Sequence, residues 1–312
     1  MSSFDIFVDS GANIPQNLYK ERNIHVISFT MTVNGEERLC LEEGVSFTET
    51  AKKFYADMRT GAEVRTSLVN AERFAEVIIP ALEAGRDAVV ITIAKGISGT
   101  YKQALEAKER LEAQFPERRV FVLDSANASM GTGLLALKAA ELRDLGESAE
   151  TTAKWIEDNA YFLNSYLTVG DLKYLRRSGR VSMTLAIAGT ILNIKPLLRA
   201  DGGEVAQIVF YGKTHGRKKA LAALAETYKE RAISPETQTV AICHCDCEED
   251  ALSLAEAIKQ IGAKEVIIEY YDLCTGSHVG PGTVALFFYG KDRRETLAEK
   301  KKPADKTVPV NA

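Results

Sequence analysis

Two hydroxyl side chains and two glycines lie close together in residues 94–100, which read Ala-Lys-Gly-Ile-Ser-Gly-Thr. The glycines allow the backbone to turn tightly, and Ser98 or Thr100 can cap a helix that begins there. Because unpaired N–H groups and the positive end of the helix dipole meet at such a cap, an anion placed there gains several hydrogen-bond donors. The pattern therefore indicates an anion-binding turn, and the alternative is a simple helix cap without a ligand.

Two further segments carry polar side chains that could contact an anion. Residues 65–70 include Thr66 and Ser67 and precede a predicted helix, which makes them a second candidate binding loop. Residues 275–283 contain His278 among three glycines and a proline, which predicts a loop with an unusual backbone path between two strands. The imidazole could donate a hydrogen bond or a positive charge to an anion, and the alternative is an ordinary surface histidine.

A cluster of cysteines in residues 243–247 is the strongest candidate for a metal site. The segment reads Cys-His-Cys-Asp-Cys, and thiolate and imidazole are the ligands that zinc prefers. In a strand, the three cysteines would lie on one face about 6 to 7 Å apart, with His244 on the other face, so they would not converge on one ion. We therefore expect structural cysteines and no metal.

No catalytic fingerprint matches the glycine-rich turn. Its order of residues is neither a dinucleotide-binding G-x-G-x-x-G, nor a Walker A loop, nor a G-x-S-x-G nucleophile elbow. A hydrolase or acyltransferase with Ser98 as nucleophile and His278 as base stays open, as does a regulatory protein that senses a small anion. Since no third residue that would orient the base can be identified, no catalytic residue is assigned.

Composition and charge describe a globular protein whose partners are small molecules or proteins. The chain has 312 residues, 26% of them charged, and a net charge of -4, without the basic excess that would indicate nucleic acid. Its first residues lack the basic and then apolar segments of a secretory signal, so we expect a cytoplasmic location. Polar residues interrupt the apolar stretch 181–198, which predicts burial inside the protein and not a membrane span.

Strands and helices alternate along the first half of the chain, and this pattern predicts an α/β layer with a largely parallel sheet. Ligands of such sheets bind beyond the carboxyl ends of the strands. The predicted strands span residues 4–8, 25–33, 89–93 and 120–123. The polar residues expected to gather beyond the strand ends are Asp9, Ser10, Thr66, Ser67, Ser98, Asp124 and Ser125.

The pattern changes from about residue 161 and indicates a second, two-layer α+β domain. It comprises a strand at 166–169, a short helix capped by Asp171, a hairpin of 195–199 with 205–211, a helix from Thr214 to about 231, and strands 239–243 and 265–271 on either side of a helix. We expect an N-terminal domain of residues 1–160, a C-terminal domain of residues 161–292 and a disordered tail of residues 293–312.

Six motifs in order, from about residue 4 to residue 290, resemble the DegV family of bacterial fatty-acid-binding proteins. They are DSGANIP, TSLVNAERF, GISGTYKQA, LDSANASMGTG, LKYLRRSGRVS followed by IKPLL, and SHVGPGTVALFFYG. The resemblance implies a three-layer α/β domain and a two-layer α+β domain that enclose one long-chain fatty acid. The carboxylate would lie at the domain interface, and the acyl chain would be buried in the second domain.

The resemblance also implies the residues and the partner of the site. The carboxylate contacts would come from Thr66, Ser98 and His278, and Ser67, Gly99, Thr100 and Arg180 could support them. Some members of the family present the acid to a separate kinase subunit, which forms acyl-phosphate for phospholipid synthesis. This chain would then be a carrier and not an enzyme, with no cofactor, and it could touch a membrane surface transiently.

Two departures from the family's usual pattern lie at the site. The family usually continues the Thr-Ser pair with Gln-Pro, whereas this chain has Leu68 and Val69. The usual Gly-Gly-Arg is Ser178-Gly179-Arg180, which keeps the flexible glycine and the cation. The backbone around Thr66 is the part of the site that these changes put in question.

Overall fold

The computed structural model describes residues 4–182, 193–203 and 207–295. Within these ranges, the strands are β1 Phe4–Asp9, β2 Ile24–Ile27, β3 Thr30–Val33, β4 Glu36–Leu39, β5 Val64–Ser67, β6 Asp87–Thr92, β7 Val120–Asp124, β8 Leu163–Thr168, β9 Val181–Ser182, β10 Ile194–Ala200, β11 Ile208–His215, β12 Thr239–His244, β13 Glu265–Tyr270 and β14 Val284–Tyr289. The α-helices are α1 Gln16–Glu21, α2 Phe47–Arg59, α3 Ala71–Glu83, α4 Thr100–Gln114, α5 Met130–Asp144, α6 Ala149–Asn159, α7 Leu172–Ser178, α8 Arg217–Arg231, α9 Glu248–Ile261 and α10 Leu273–Val279.

Four strands form a sheet in the order β2, β1, β6, β7, and all of its neighbouring pairs are parallel. Strand β6 is buried along nearly its whole length, as expected for an apolar, β-branched run that is covered on both faces. Helices α3 and α4 pack against each other and on β6, and α5 and α6 form a second pair on the same sheet. The predicted α/β layer with a largely parallel sheet is confirmed.

The strand order places a switch point between β1 and β6. From β1 the chain moves to β2 on one side, whereas from β6 it moves to β7 on the other side. The loops that follow β1 and β6 therefore diverge and leave a crevice beyond the carboxyl ends of these strands. Open α/β sheets bind their ligands at such a crevice.

A separate antiparallel sheet of β4, β3 and β5 corrects two sequence predictions. The predicted strand 25–33 is two strands in different sheets, and the chain leaves the parallel sheet where the Phe29 N–H donates to Ser10 Oγ (3.0 Å). The predicted loop around Thr66 and Ser67 is in large part β5, because these residues pair with β3. The side chains of Thr66 and Ser67 therefore project from β5, a strand of the three-stranded antiparallel sheet.

Seven strands form a mixed sheet in the order β13, β12, β14, β8, β10, β11, β9. The predicted hairpin is confirmed, since β10 and β11 pair antiparallel. The cap at Asp171 is confirmed as well, since this side chain accepts a hydrogen bond from Lys173 N in α7. Helix α8 begins at Arg217 and not at Thr214, because Thr214 extends β11 by pairing with Lys195. Together, the two large sheets confirm a two-domain α/β fold.

The predicted loop around His278 is wrong for most of its length, because Leu273–Val279 form α10. The Asp272 side chain starts this helix by accepting a backbone hydrogen bond from its first turn (2.8 Å). Gly276 lies against the hydroxyl group of Tyr55, where a Cβ atom would have no room. This glycine therefore permits close packing of a helix and does not mark a loop.

Some of the sequence predictions concern residues outside the described ranges. These are the middle of the apolar stretch 181–198 and nearly all of the tail from residue 293. The domain limits at residues 160 and 292 stay predictions. In the described part of the chain, the helices are all too short or too polar to cross a lipid bilayer.

Replacement of Gly133 by alanine should lower the free energy of unfolding by about 1 to 3 kcal/mol. A Cβ atom there would lie 2.5 Å from the carbonyl oxygen of Ala12, so α5 would have to move away from the turn that follows β1. Urea unfolding followed by circular dichroism measures the effect. The control Glu141→Ala, at an exposed position of the same helix, should change the free energy by less than about 0.5 kcal/mol. Equal effects of the two variants would contradict this account.

Candidate functional site

A cavity of about 430 Å³ lies at the switch point and is called the main cavity below. Its lining comes from the loop after β6, the end of β5, the end of α7 and one face of α10. Thr66, Ser98 and His278, the three principal residues indicated by the sequence, all line it. The fold therefore brings together side chains that lie on three different elements.

The loop after β6 is held by the buried carboxylate of Asp9. Its Oδ1 accepts a hydrogen bond from Gly11 N (3.0 Å), and its Oδ2 accepts one from Ile93 N (2.9 Å). Burial and the nearby carboxylate of Asp272 raise the pKa of Asp9 to about 7. Because Ile93 begins the loop that carries Ser98, Asp9 fixes this wall of the main cavity relative to β1.

Ser98 presents its hydroxyl group to the main cavity just before α4. Its Oγ lies 2.8 Å from Thr100 Oγ1 and accepts a hydrogen bond from Thr100 N (3.2 Å). Neither Ser98 nor Thr100 is the N-cap residue of α4, because Gly99 occupies that position, but Ser98 does accept the first N–H of the helix. Gly99 lines the cavity, whereas Thr100 is fully buried behind Ser98.

Thr66 and His278 are hydrogen-bonded across the cavity wall. Thr66 Oγ1 and His278 Nε2 are 3.0 Å apart, although 212 positions separate them in the sequence. Burial and the positive charges of Arg180 and Arg177 lower the pKa of His278 from 6.5 to about 4. The imidazole is therefore neutral near pH 7, so it can offer an anion a hydrogen bond but not a positive charge.

The supporting residues that the sequence indicated line the main cavity as well, with the exception of Thr100. Ser67 and Arg180 are both exposed at its edge. The two departures from the family pattern also lie at the main cavity, at Leu68 and Ser178. Leu68 lies at the rim, where it is 45% exposed and close to Gly99. Ser178 ends α7 by donating to Leu175 O (2.9 Å), so the substitution adds a hydrogen bond beside Arg180.

A second cavity of about 400 Å³ lies on the other side of the Thr66–His278 pair and is called the outer cavity. It shares this pair and Arg180 with the main cavity and adds Arg65 and Arg177. Three arginines thus face one polar opening. A neutral hydrogen-bonded pair therefore separates the main cavity from a cavity with an excess of cations, in which three arginines stand against the one carboxylate of Glu63.

A narrow inner cavity of about 20 Å³ extends from the opposite end of the main cavity. The two share Ile97, Ala128, Ile208 and Tyr271, which form a neck between them. Beyond the neck the walls belong mainly to the mixed sheet and are mostly apolar, with Leu167, Tyr166, Ala200, Ala285 and Phe287 beside Asn127 and Ser165. The site therefore has a polar end and an apolar end.

The cysteine cluster does not form a metal site in the residues that the structure describes, where no group of three or more potential ligands converges. Cys243 is fully buried and accepts a hydrogen bond from Ser129 Oγ (3.5 Å). Burial raises the pKa of the Cys247 thiol to about 11, so this group is protonated at neutral pH. Cys243 and Cys245 thus pack in the core that contains the parallel sheet, whereas Cys247 packs against the separate core that includes residues of α8 and α9.

Several residues of the main cavity were missed by the sequence analysis. Among them are Tyr271, just before α10, and Cys274 and Thr275 in its first turn. The signal that could have revealed them is Asp272, which stands three positions before Thr275 in the pattern of a helix N-cap. Reading this segment as a glycine-rich loop concealed the helical face that lines the cavity.

Comparisons with known proteins agree with this architecture. The family model described as "Uncharacterised protein, DegV family" matches residues 3–291. A DegV domain-containing protein of Clostridium perfringens is 35% identical over 292 residues, which are 93% of this chain and 98% of that protein. The solved structure of a fatty-acid-binding DegV family protein from Thermus thermophilus has a TM-score of 0.82 at 25% identity and covers 92% of this chain and 99% of its own. The structure of DegV from Bacillus subtilis, a fatty acid binding protein, has a TM-score of 0.78 at 26% identity and covers 92% and 99%.

The His278 imidazole should make stability decrease in acid. In the unfolded chain this group protonates near its ordinary pKa of 6.5, whereas in the folded protein it does so only near 4, so the unfolded state binds the extra proton between these values. Through this group alone, the free energy of unfolding should fall by about 1 to 2 kcal/mol between pH 7 and pH 5. Urea unfolding at both pH values should show a smaller fall for His278→Gln than for the parent. The same fall in both proteins would contradict the assignment.

Proposed function

The chain belongs to the DegV family, and we propose that it binds one long-chain fatty acid with the carboxylate in the main cavity. The observation that carries the proposal is that Thr66, Ser98 and His278 converge on the polar end of a cavity whose other end is apolar. The likeness to fatty-acid-binding structures of the same family supports this choice of ligand.

Hydroxyl groups and a neutral imidazole would receive the carboxylate. In the Thr66–His278 pair, either group can donate, depending on the imidazole tautomer, and the Ser98 hydroxyl adds a further donor. The N-terminus of α4 and the side chain of Arg180 would contribute positive potential nearby. A buried carboxylate without such partners would cost several kcal/mol, so this polar end is the favourable position for it.

The acyl chain would pass the neck and enter the inner cavity, whose walls would have to move apart, because its volume of about 20 Å³ has room for only about one water molecule. Burial of about 15 methylene groups at roughly 0.8 kcal/mol each supplies on the order of 12 kcal/mol before ordering costs, enough for a fatty acid to survive purification. We propose that the two domains contribute different parts of this site. Residues 1–160 would supply Thr66 and Ser98, while residues 161–292 would supply His278 and most of the walls of the acyl tunnel.

We further propose that the protein presents its fatty acid to a separate kinase subunit in the cytoplasm, where ATP is available. A carboxylate oxygen would attack the γ-phosphorus of ATP, the bond from that phosphorus to the β–γ bridging oxygen would break, and acyl-phosphate and ADP would leave. The outer cavity supports this role, because Arg65, Arg177 and Arg180 could contact the phosphates on the far side of the Thr66–His278 pair. The chain would act as a carrier for phospholipid synthesis and would exchange its ligand during transient membrane contact.

The alternative of a hydrolase or acyltransferase receives less support from the same geometry. The Ser98 hydroxyl is bonded to Thr100, and the His278 imidazole is bonded to Thr66. A nucleophile and its base need a hydrogen bond between them, or room to form one. The main cavity of about 430 Å³, with its apolar neck, is likewise larger than a small anion requires.

The purified protein should carry about one long-chain fatty acid per chain, and the Ser98→Ala variant should bind palmitic acid about 10-fold more weakly. The alanine removes one donor to the carboxylate, and such a hydrogen bond contributes about 1 to 3 kcal/mol. Solvent extraction with mass spectrometry gives the stoichiometry, and displacement of a fluorescent fatty acid gives the affinity.

The matched control for this measurement is Ser253→Ala, at an exposed position on α9, which should bind like the parent. Lipid-free protein without measurable affinity for any saturated or unsaturated long-chain acid would contradict the proposed function. Undiminished binding by the Ser98 variant would mean that the carboxylate lies elsewhere.

With fatty acid, ATP and magnesium, the protein alone should form no acyl-phosphate until a fatty acid kinase catalytic subunit is added. Replacement of Arg65 or Arg177 by alanine should lower that coupled rate by about 10-fold or more, since cationic groups near transferring phosphates stabilise the transition state. Fatty acid affinity should stay unchanged in Arg65→Ala, because this side chain lines the outer cavity and not the main cavity, whereas Arg177 also acts on the pKa of His278. Hydroxylamine trapping of acyl-phosphate measures the rate, with the exposed Arg22→Ala as control. ATP hydrolysis by the protein alone would contradict the carrier role.

A further inference from the structure

The DSGANIP motif contributes a residue that the proposed function has not used. Asn13 follows the turn after β1, and its side chain is buried against the junction between β13 and α10. Its Nδ2 donates to Tyr270 O (2.9 Å), and its Oδ1 accepts a hydrogen bond from Asp272 N. Both backbone groups belong to the residues that immediately precede α10. One amide therefore holds the point at which this helix begins.

The backbone conformation of Asn13 is one that asparagine can adopt and most other residues avoid. Its φ is 57°, in the left-handed region that asparagine adopts more readily than most residues with a side chain. The position follows the turn that Asp9 ties to Ile93, at the start of the loop that carries Ser98. Asn13 therefore connects the Ser98 wall of the main cavity to the helix that carries His278.

Helix α10 depends on such anchors because it is short. It has seven residues, and isolated helices of this length are unstable in water. Its first turn is held by Asp272, which accepts hydrogen bonds from Thr275 N (2.8 Å) and from Thr275 Oγ1. The Tyr55 hydroxyl donates to Tyr271 O (2.7 Å) and packs against the helix at Gly276. His278 lies in the last turn, so any rotation at the start of the helix displaces the imidazole.

We propose that Asn13 is a positioning residue for the fatty acid carboxylate, because it fixes the start of α10 and thereby the place of His278 opposite Thr66. Asn13 itself is outside the described lining of the main cavity, so it acts through the helix and not by contact with the ligand. The hydroxyl group of Tyr55 stabilises the same junction through its hydrogen bond to Tyr271 O. This inference rests on the proposed function and adds to it a residue that the cavity alone does not reveal.

A double-mutant cycle tests whether Asn13 acts through His278. The affinity for palmitic acid is measured for the parent, Asn13→Gly, His278→Ala and the double variant. Glycine keeps the left-handed backbone and removes the side chain that carries the amide. Asn13→Gly should weaken binding about 5- to 20-fold in the parent and less than twofold in the His278→Ala protein, because residues that act through one interaction are not additive.

A control for general loss of stability is Arg86→Gln, which removes the ion pair with Asp5 at the opposite end of β1. It should lower the urea midpoint without changing the affinity. Tyr55→Phe removes only the hydroxyl group and should follow the Asn13→Gly pattern, so the proposal stays testable if Asn13→Gly does not fold.

The outcomes separate the two proposals. Equal loss of affinity from Asn13→Gly in both backgrounds, together with weaker binding by His278→Ala, would overturn the positioning role and leave the proposed function intact. Absence of binding by the parent would overturn both. Binding by His278→Ala as tight as the parent's, with Asn13→Gly still weaker, would also overturn the positioning role, since Asn13 would then act on another part of the site.

Discussion

The site depends on one buried carboxylate, that of Asp9 at the end of β1. It accepts hydrogen bonds from the turn after its own strand and from the first residue of the loop after β6, so it spans the switch point of the parallel sheet. A carboxylate in this position is costly, and burial raises its pKa to about 7. The two N–H groups offset part of that cost. Their hydrogen bonds to Asp9 also hold the loops after β1 and β6 next to each other, although the chain runs in opposite directions from these two strands. These two loops carry Asn13 and Ser98, so the hydrogen bonds of Asp9 fix the positions of both residues.

Neutral and cationic groups lie in different parts of the region around the main cavity. The groups that would contact a ligand carboxylate are neutral, because burial and two neighbouring arginines keep the His278 imidazole unprotonated. The cations lie outward, in the outer cavity and at the rim. Neutral donors bind an anion without holding a permanent charge in the apolar interior when the cavity is empty. The exposed arginines stay hydrated and available to a second anionic group.

The elements that the sequence predicts well are those whose signals are local. The helix cap at Asp171 and the buried strand β6 follow from residues within a few positions of one another. The failures depend on distant contacts. Strand β5 exists because it pairs with β3. Helix α10 exists because Asp272 and Tyr55 hold its start, although the glycines of that segment are typical of a loop. The convergence of Thr66, Ser98 and His278 on one cavity followed from the resemblance to a family, since no periodicity links these positions.

The sequence separation of the contacts at the polar end bears on how the protein folds. Asn13 and Asp272 are 259 positions apart, and Thr66 and His278 are 212 apart. Contacts between residues so far apart in the sequence form late in folding, after most of the chain has collapsed. On a ribosome, the polar end of the cavity would stay incomplete until α10 had emerged. A ligand that needs this end would bind only the finished native state, so it would stabilise that state by mass action relative to partly folded forms.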